Sequence, residues 1–334
     1  MPLRFAFMGF RHGHILDVHK YAGERAGCQV AAACEEDAET RATSKIKVTH
    51  DSYAKMLDTV ECDVVAVGEY FGGRGAVIIE ALRRGKHVIC DKPLCTSLNE
   101  LERIEALARE KNLAVGCQLG TPYQPNMLKL KDLISTGQLG ELRQISFGGQ
   151  HPLLWGSRAK WYFEPGKHGG TINDIAIHAI HALPGVTGLS FQSVVAARAW
   201  NAYAKEVPHF KDSAQFMLTL SNGCGVLGDV SYAMPAALGY KMPQYWRFTV
   251  YGSEGVAETG VNYDHVFLCR HADKEPQKLP PAPKPAAGYF DAFLDEATGK
   301  VQTRDFTAGV LQATRTTLLI QQAADQGRCG VPLA

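Results

Sequence analysis

The chain has 334 residues, which suggests two domains at roughly 150 residues each. Its 35 Lys and Arg residues balance 34 Asp and Glu residues, and this net charge of +1 argues against nucleic acid or a membrane surface as the partner. No apolar run approaches the roughly 18 residues of a membrane span, and the N-terminus lacks a signal-peptide pattern. Nine cysteines without a CxxC pair predict reduced thiols in the cytoplasm, rather than a disulfide scaffold or a zinc finger.

The first third of the chain alternates apolar strands with helices. Short apolar runs predict strands at 3–8, 29–34, 63–67, 87–90 and 113–117. Helices are predicted at 15–25 and 76–84, and Ser97 with Glu100 forms a capping box that begins another helix. Uninterrupted apolar strands that alternate with helices are typical of a parallel sheet covered on both faces. We therefore predict an α/β Rossmann fold over residues 1–121.

The remainder, residues 122–334, has a different pattern. Alternating polar and apolar residues predict strands at 143–150, 193–201, 214–220, 225–232 and 247–251. The proline-rich stretch 273–288 is predicted to be a surface loop, and 306–326 is apolar at helical spacing. This pattern indicates an α+β C-terminal domain with a large, mostly antiparallel open sheet. The free face of such a sheet would suit a partner subunit.

The turn after the first strand has features of a dinucleotide-binding loop. Its residues are Gly9, Phe10, Arg11, His12, Gly13 and His14. Glycine there lets backbone N–H groups approach a pyrophosphate at the N-terminus of the next helix. Arg11 and His14 replace the second and third glycines of GxGxxG, so a purely structural turn is an equally good interpretation.

The second strand ends beside an acidic residue, Glu35. A carboxylate at this position accepts hydrogen bonds from the ribose hydroxyls of an adenosine and repels a 2′-phosphate. The sequence therefore favours NAD over NADP as the cofactor. The alternative is a solvated loop acid.

Asp91, Lys92 and Pro93 directly follow the predicted strand at 87–90. The carboxyl ends of parallel strands are where the ligands of Rossmann folds collect. A lysine there can hold a substrate hydroxyl and ease the loss of its proton. On position alone, a solvated surface lysine is an equally good interpretation.

A third group of polar residues lies on one predicted helix. Asp174, His178 and His181 are spaced i, i+4 and i+7, so they share a face between apolar neighbours. A buried Asp beside a His holds the ring and raises its basicity, which suits a general base. Two alternatives stay open: a divalent-metal site, with His151 or His168 as a further ligand, and hydrogen-bonded core residues.

Together these segments resemble the glucose–fructose oxidoreductase / inositol dehydrogenase / MocA-like (Gfo/Idh/MocA) family along the whole chain. ALRRGKHVICDKP, which ends at Pro93, looks like the EKP-type motif of the family. GGTINDIAIHAIHAL, which begins at Gly169, is similar to its GGG-x-L-x-D-x-x-x-H-x-x-D helix. LISTGQLGEL and RFTVYGSEGVAE are further similar stretches.

The resemblance implies hydride transfer between a nicotinamide and a hydroxyl-bearing carbon of a sugar, polyol or related compound. It implies that Lys92 and His178 handle the proton of that hydroxyl, that Asp174 supports His178, and that the Lys92–Pro93 bond is cis. Cofactor contacts are then expected from the turn after the first strand, Glu35, Asp91, Lys92, Pro93 and Gly68. Relatives often assemble as dimers or tetramers, so a homo-oligomer is expected.

Several features depart from the family pattern. His181 stands where relatives often have Asp, so we expect a different contact with the neighbouring substrate hydroxyl. The loop GEYFGGRG, which starts at Gly68, replaces a Thr-Pro pattern. Trp161 and Gln118 are further predicted substrate contacts, since indole rings stack on sugar faces. These departures indicate a divergent subfamily with an unusual substrate.

Two other functions stay open besides a dehydrogenase and a metal-dependent enzyme. Some relatives are glycosidases that keep NAD bound, oxidise the sugar and then reduce it again. A catalytically idle sugar- or cofactor-sensing protein is the other possibility, which the altered glycine turn supports.

Overall fold

The computed structural model describes residues 1–333, which divide into two compact units. The first unit comprises Met1–Leu119, Ala159–Gly169 and Ala287–Arg315. The second comprises Gly120–Arg158, Gly170–Ala286 and the residues from Thr316 onward. The domain boundary predicted at residue 121 therefore leaves two later segments of the first unit, Ala159–Gly169 and Ala287–Arg315, in the C-terminal domain.

The first unit is built on a five-stranded sheet. Its strands are β1 (Leu3–Met8), β2 (Cys28–Cys34), β3 (Val64–Val67), β4 (His87–Cys90) and β5 (Val115–Cys117). All neighbouring strands are parallel, in the order β2-β1-β3-β4-β5. The predicted Rossmann-type sheet is confirmed, and it brings the turns after β1, β3 and β4 to one edge.

The second unit contains a nine-stranded sheet. Its strands are β6 (Leu142–Pro152), β7 (Phe191–Trp200), β8 (Ser213–Leu220), β9 (Gly225–Met234), β10 (Trp246–Gly252), β11 (Gly255–Gly260), β12 (Val266–Arg270), β13 (Gln277–Leu279) and β14 (Val331–Pro332). They are ordered β13-β12-β11-β10-β6-β9-β8-β7-β14, and only β6 and β9 pair in parallel. The mostly antiparallel sheet is confirmed. The loop prediction for 273–288 is wrong at β13, a short edge strand that pairs with β12 between the prolines.

Nine α-helices accompany the two sheets in residues 1–333. They are α1 (Ile15–Glu24), α2 (Ala38–Thr43), α3 (Tyr53–Thr59), α4 (Phe71–Arg83), α5 (Leu98–Glu110), α6 (Pro125–Ser135), α7 (Ile177–Thr187), α8 (Tyr289–Ala297) and α9 (Asp305–Gln326). The predicted helix start at Ser97 is confirmed, because the Ser97 hydroxyl accepts from the Glu100 amide at 3.2 Å. Within residues 1–333, none of the helices has the length and apolar character that crossing a bilayer demands.

Helix α4 begins five residues before the predicted start at residue 76. Its first turns contain Gly72, Gly73 and Gly75, a composition typical of a loop. A Cβ atom at Gly72 would lie 2.1 Å from the Gly166 carbonyl oxygen, and the Gly72 amide donates to Lys167 O at 2.8 Å. Glycine therefore serves here to let the segment 159–169 lie against α4, and not to break the helix.

The nine-stranded sheet has two unlike faces. Along β9 and β10 the inward positions, such as Val230 and Phe248, are buried. The opposite face exposes Val195, Met217 and Leu227, which are 41%, 44% and 43% accessible. The sheet thus presents a partly apolar outer face, as the alternation of the strands predicts.

Candidate active site

The turn after β1 requires glycine at its first position. Gly9 has φ +88°, and a Cβ atom there would lie 2.8 Å from the Glu69 amide nitrogen. Gly68 is equally constrained, since its Cβ would lie 2.5 Å from Gly9 O. The Arg11 amide donates to Gly68 O at 2.9 Å. Both glycines thus allow the turns after β1 and β3 to lie in contact.

The same turn leaves space for a phosphate group at the start of α1. Gly13 is exposed, and no heavy atom lies within 4 Å of the position of a Cβ atom there. The turn leads directly into α1, whose N-terminal end carries the positive part of the helix dipole. Gly13 therefore fits the close approach of a pyrophosphate, whereas the Phe10 amide already donates to Glu35 at 2.7 Å.

Glu35 is completely buried. Its carboxylate accepts from the Phe10 amide at 2.7 Å and the Asp37 amide at 2.9 Å, and Arg11 Nε lies 3.3 Å from it. Burial raises the pKa of Glu35 above its usual value, despite these donors. The interpretation of Glu35 as a solvated loop acid is wrong, and its contact with a ribose stays a prediction.

Arg11 is surrounded by three carboxylates. Besides Glu35, it lies 3.4 Å from Asp37 Oδ2 and 3.6 Å from Glu69 Oε1. Burial lowers the pKa of the Arg11 guanidinium, but these carboxylates outweigh it and raise the pKa above its usual value. Tyr53 donates its hydroxyl hydrogen to Glu69 at 2.6 Å, which fixes that carboxylate. Arg41 also donates to Glu35 O at 2.6 Å, so this corner holds three carboxylates and two guanidinium groups.

Lys92 lies at the carboxyl end of β4 and is only 3% exposed. Its bond to Pro93 is cis, as the resemblance implies. The Lys92 ammonium lies 5.7 Å from the centre of the Phe71 ring, a distance suited to a cation–π contact.

The neighbouring Asp91 joins this turn to the turn after β1. Its Oδ2 lies 3.1 Å from His12 Nδ1, and its Oδ1 lies 2.5 Å from Arg74 Nη2. Burial raises the pKa of Asp91, but Arg74 and then His12 outweigh it and bring the pKa below its usual value. Asp91 is therefore an ionised, buried carboxylate between two predicted cofactor-binding segments.

Trp161 packs against the turn after β1 within the first unit. It is 5% exposed, and its indole N–H donates to Arg11 O at 3.1 Å. Its ring meets that of Phe71 edge-on at 4.9 Å. Gln118 donates its side-chain N–H to Asp17 at 3.1 Å, while its Oε1 has no hydrogen-bond partner among residues 1–333. Substrate contact by Trp161 and Gln118 stays a prediction.

In the second unit, the helix that carries the predicted catalytic residues does not begin as a regular α-helix. Residues Ile172–Ala176 form a π-helical turn that precedes α7, so the prediction of one uniform helix is wrong there. Gln321 Oε1 accepts from the amides of Ile172 and Asn173 at 3.0 and 3.4 Å. A Cβ atom at Gly170 would lie 2.2 Å from that oxygen. A residue distant in sequence thus fixes the start of the turn, and such turns occur frequently at functional sites.

Asp174 lies in this π-helical turn and is 1% exposed. Its Oδ2 accepts a hydrogen bond from the hydroxyl of Tyr232, which is equally buried on β9. Tyr232 is not among the site residues predicted from the sequence, although the alternation of β9 puts its phenol on the inward face of the sheet. A buried tyrosine hydroxyl requires a partner, and that requirement was the available signal.

His178 and His181 follow on α7, and both are half-buried. The His178 ring meets the Trp246 ring edge-on at 5.6 Å. Burial lowers the pKa of His181 to about 4, so its imidazole is neutral near pH 7. The Nδ1 atom of His181 is shielded from solvent and has no hydrogen-bond partner within residues 1–333.

Aromatic side chains surround His151 in the second unit. The rings of Tyr245 and Tyr240 lie 5.1 and 5.5 Å from its ring, and that of Trp246 lies at 6.2 Å. Burial raises the pKa of Tyr245 to about 12, so its hydroxyl stays protonated. His168 instead packs in the first unit, 5.7 Å from Phe71.

The metal alternative gains no ligand set from these positions. Over the described 333 residues, no group of three or more His, Cys, Asp or Glu side chains is placed to hold a metal ion. All nine cysteines are free thiols.

Comparison with known proteins gives matches in both parts of the chain. An oxidoreductase family with an NAD-binding Rossmann fold matches residues 3–119, and the Gfo/Idh/MocA C-terminal domain matches residues 127–258. D-xylose dehydrogenase of Paenarthrobacter nicotinovorans is 26% identical over 203 residues, 57% of this chain and 52% of that protein. A scyllo-inositol 2-dehydrogenase (NADP(+)) of Bacillus subtilis is 26% identical over 131 residues, 39% of this chain and 36% of that protein. The chain thus matches about half, or less, of the length of these curated relatives.

Solved structures match nearly the whole chain. A putative oxidoreductase from Thermotoga maritima has a TM-score of 0.83 at 24% identity, covering 98% of this chain and 100% of that one. An inositol dehydrogenase homolog complexed with NAD+ from Azotobacter vinelandii has a TM-score of 0.80 at 18% identity, covering 99% and 97%. At these identities the likeness shows the fold alone. With both of its domains matched, the chain belongs to the Gfo/Idh/MocA family of oxidoreductases, whose N-terminal domain is an NAD-binding Rossmann fold.

Proposed function

We propose that this protein is an NAD-dependent oxidoreductase that transfers a hydride between nicotinamide and a hydroxyl-bearing carbon of a sugar or polyol. The observation that carries the proposal is the contact between His12 Nδ1 and Asp91 Oδ2 at 3.1 Å. It joins a turn that fits a pyrophosphate to the turn that holds Lys92. Both turns lie at the carboxyl ends of parallel strands, where dinucleotides bind in this fold class.

The residues of the first unit fit a dinucleotide. Gly13 and the N-terminus of α1 would hold the pyrophosphate, and NAD, when bound, supplies the nicotinamide carbon that accepts or returns the hydride. The three carboxylates of Glu35, Asp37 and Glu69 outnumber the two guanidinium groups, of Arg11 and Arg41, at this corner. Such a corner repels a 2′-phosphate, which supports NAD as the cofactor rather than NADP.

Lys92 and His178 are the proposed carriers of the hydroxyl proton. Oxidation of an alcohol needs a group that takes up the O–H proton, and amine and imidazole side chains are among those that serve as general acids and bases. Asp174, which is held by the Tyr232 hydroxyl, is proposed to support His178. Gln118, Trp161 and the neutral His181 are proposed to contact the substrate, and the aromatic rings around His151 suit the apolar faces of a sugar.

Titration with NADH and NADPH, followed by the fluorescence of the reduced nicotinamide, tests the cofactor. We expect NADH to bind at least about tenfold more tightly, because each 1.4 kcal/mol of charge repulsion corresponds to tenfold in affinity. Equal or tighter binding of NADPH would overturn the choice of NAD. The absence of binding of either nucleotide would overturn the proposed function.

A panel of D-xylose, D-glucose, myo-inositol and scyllo-inositol with NAD+ tests the reaction through the absorbance of NADH. Lys92→Met and His178→Gln should each lower kcat by about 10²- to 10⁴-fold, the usual contribution of a general acid or base. Lys20→Met, at an exposed lysine of the first unit, is the matched control. Normal turnover by Lys92→Met would contradict the assigned role. Cleavage of a glycoside without net formation of NADH would favour the glycosidase alternative. Binding of the nucleotide without turnover of any substrate would favour the sensor alternative.

We also propose a homo-oligomer that uses the outer face of the nine-stranded sheet, with a second copy of this chain as the occupant. Arg198, Arg247 and Asp229 lie on this face beside the exposed Met217 and Leu227. A patch with both signs of charge and apolar residues at its centre can pair with itself about a twofold axis. Light scattering should give the mass of a dimer or tetramer for the native chain. The Leu227→Glu variant should give a lower mass in solution, because its assembly is weakened. A native monomer at micromolar concentration would refute the proposal.

A further inference from the structure

Arg74 is a fully buried arginine on α4, close behind the turn that carries Lys92. A buried guanidinium is costly unless its donors are satisfied. Four hydrogen bonds satisfy it here, and all four go to main-chain carbonyl oxygens rather than to a side chain. An ion pair with Asp91 is its fifth contact.

The hydrogen bonds of Arg74 hold the backbone on both sides of Lys92. Nη1 donates to Asp91 O at 2.9 Å and to Pro93 O at 2.7 Å. These are the carbonyl groups of the residues immediately before and after Lys92. A single nitrogen therefore joins the main-chain carbonyl groups of the two residues that flank the lysine.

The same guanidinium joins this bracket to two other strand ends. Nε and Nη2 donate to Glu69 O, after β3, at 3.2 and 2.8 Å. Asp91, which is paired with Arg74, also contacts His12 in the turn after β1. The Phe71 ring contacts both cations: its centre lies 4.9 Å from the Arg74 guanidinium carbon and 5.7 Å from the Lys92 ammonium nitrogen. Arg74 thus contacts both the backbone that flanks Lys92 and the ring that the Lys92 side chain meets.

We propose that Arg74 is a positioning residue, which fixes Lys92 relative to the cofactor-binding turn. The inference rests on the proposed function, because it assigns Arg74 a part in the reaction for which Lys92 is needed. The competing explanation is that Arg74 only balances the charge of Asp91. Charge balance accounts for the ion pair, and the need to satisfy a buried guanidinium accounts for contacts with carbonyl groups in general. Neither accounts for two of these carbonyls belonging to Asp91 and Pro93, the residues on either side of Lys92.

Arg74→Lys is the first test, with Arg84→Lys at the C-terminal cap of the same helix as the matched control. Lysine keeps the charge but lacks the planar fork that reaches several carbonyls at once. We expect Arg74→Lys to lower kcat about 100-fold with NAD+ and myo-inositol or D-xylose, since a displacement of about 1 Å has that effect on a reacting group. KM and the dissociation constant of NADH should stay within about threefold. An unchanged kcat in a folded Arg74→Lys protein would overturn the proposal.

A second pair of variants separates positioning from charge balance, and serves if Arg74→Lys does not fold. Asp91→Asn alone leaves Arg74 its four carbonyl contacts, whereas Asp91→Asn with Arg74→Met removes both buried charges and those contacts. Positioning predicts that the double variant loses at least about tenfold more kcat than the single variant. Equal kcat values in the two variants would show that charge balance was the whole role.

Competitive acetylation with acetic anhydride reads the setting of Lys92 without any substrate. In Arg74→Lys, we expect the labelling of Lys92 relative to the exposed Lys20 to change at least about fivefold, and in Arg84→Lys to stay unchanged. Full activity of Lys92→Met would reject the proposed function, whatever Arg74 does. Loss of activity in Lys92→Met, together with unchanged kcat and labelling in Arg74→Lys, would reject only the positioning role.

Discussion

His181 should make the stability of the second unit depend on pH in a specific direction. Burial lowers the pKa of its imidazole from 6.5 to about 4. In the unfolded chain the same ring returns to its ordinary pKa and takes up a proton as the pH falls below 6.5. Stability that is present above pH 6.5 is therefore lost progressively as the pH falls toward 4.

The magnitude follows from the two pKa values. Between pH 7 and pH 5 the unfolded ring becomes almost fully protonated, while the native ring stays neutral. Proton linkage then gives a loss of about 2 kcal/mol in the free energy of unfolding over this interval. The full difference below pH 4 is about 3 kcal/mol, at 1.36 kcal/mol for each unit of pKa.

Urea unfolding of the native chain and of His181→Gln, followed by tryptophan fluorescence at pH 7 and pH 5, measures this contribution. Glutamine does not titrate, so the variant should lose about 2 kcal/mol less than the native chain on acidification. His271→Gln, at an exposed histidine of the same unit, should leave the pH dependence unchanged. If His181→Gln and the native chain lost the same stability, the lowered pKa assigned to His181 would be refuted.

Three further variants test the geometry of the two units. Tyr232→Phe removes the hydroxyl donor to the buried carboxylate of Asp174, so it should lower the free energy of unfolding by about 1–3 kcal/mol in urea titrations. A loss below about 0.5 kcal/mol would contradict the hydrogen bond. Gly9 has φ +88°, and Gly9→Ala places a Cβ atom 2.8 Å from a backbone nitrogen, so this variant should lose more than about 1 kcal/mol of stability and bind NADH more weakly. Its control is Gly13→Ala, whose Cβ faces open space and which should keep the melting temperature of the native chain. Gln321→Ala leaves two amides at the start of the π-helical turn without their acceptor, so it should lower the free energy of unfolding by about 1–2 kcal/mol. An unchanged stability in calorimetry would indicate that the turn forms without Gln321.

The parallel sheet of the first unit was predictable from local sequence, because each strand is a short, uninterrupted apolar run. The structure places β1 and β4 over the predicted residues, and helix α5 follows the predicted cap at Ser97. These features depend on neighbours within a few positions. The strands β11, β12 and β14 were not predicted, since they are short and carry weak alternation.

The predictions from the sequence are wrong where the conformation of a residue depends on a contact with a residue far away in the chain. Gly72 looks like part of a loop, but it is small because the backbone of residues 166 and 167 packs against it. The π-helical turn before α7 is fixed by Gln321, which lies about 150 positions later. Helical spacing alone therefore predicts a regular α-helix there, and it has no means of revealing the extra residue in the turn.

The candidate site was predictable to the extent that its residues follow strands or repeat along a helix. Lys92 was identified because it directly follows an apolar strand, and Asp174 because it precedes two histidines at helical spacing. Tyr232 and Arg74 were missed as parts of the site, because their partners lie on other elements. A buried polar residue shows its role only when the atom that it satisfies is known.

Two departures from the family pattern belong together in the structure. Arg11 replaces a glycine of the turn after β1, and Glu69 lies in the altered loop after β3, 3.6 Å away. The same loop leads into α4 and to Arg74, which is paired with Asp91. Arg11 thus has a carboxylate of the altered loop as one of its three acidic partners, with Glu35 and Asp37 as the others, so its charge is not left unpaired. The altered turn is therefore held by ion pairs to its neighbours and keeps Gly9 and Gly13, so the replacement of its other glycines does not by itself indicate a loss of binding.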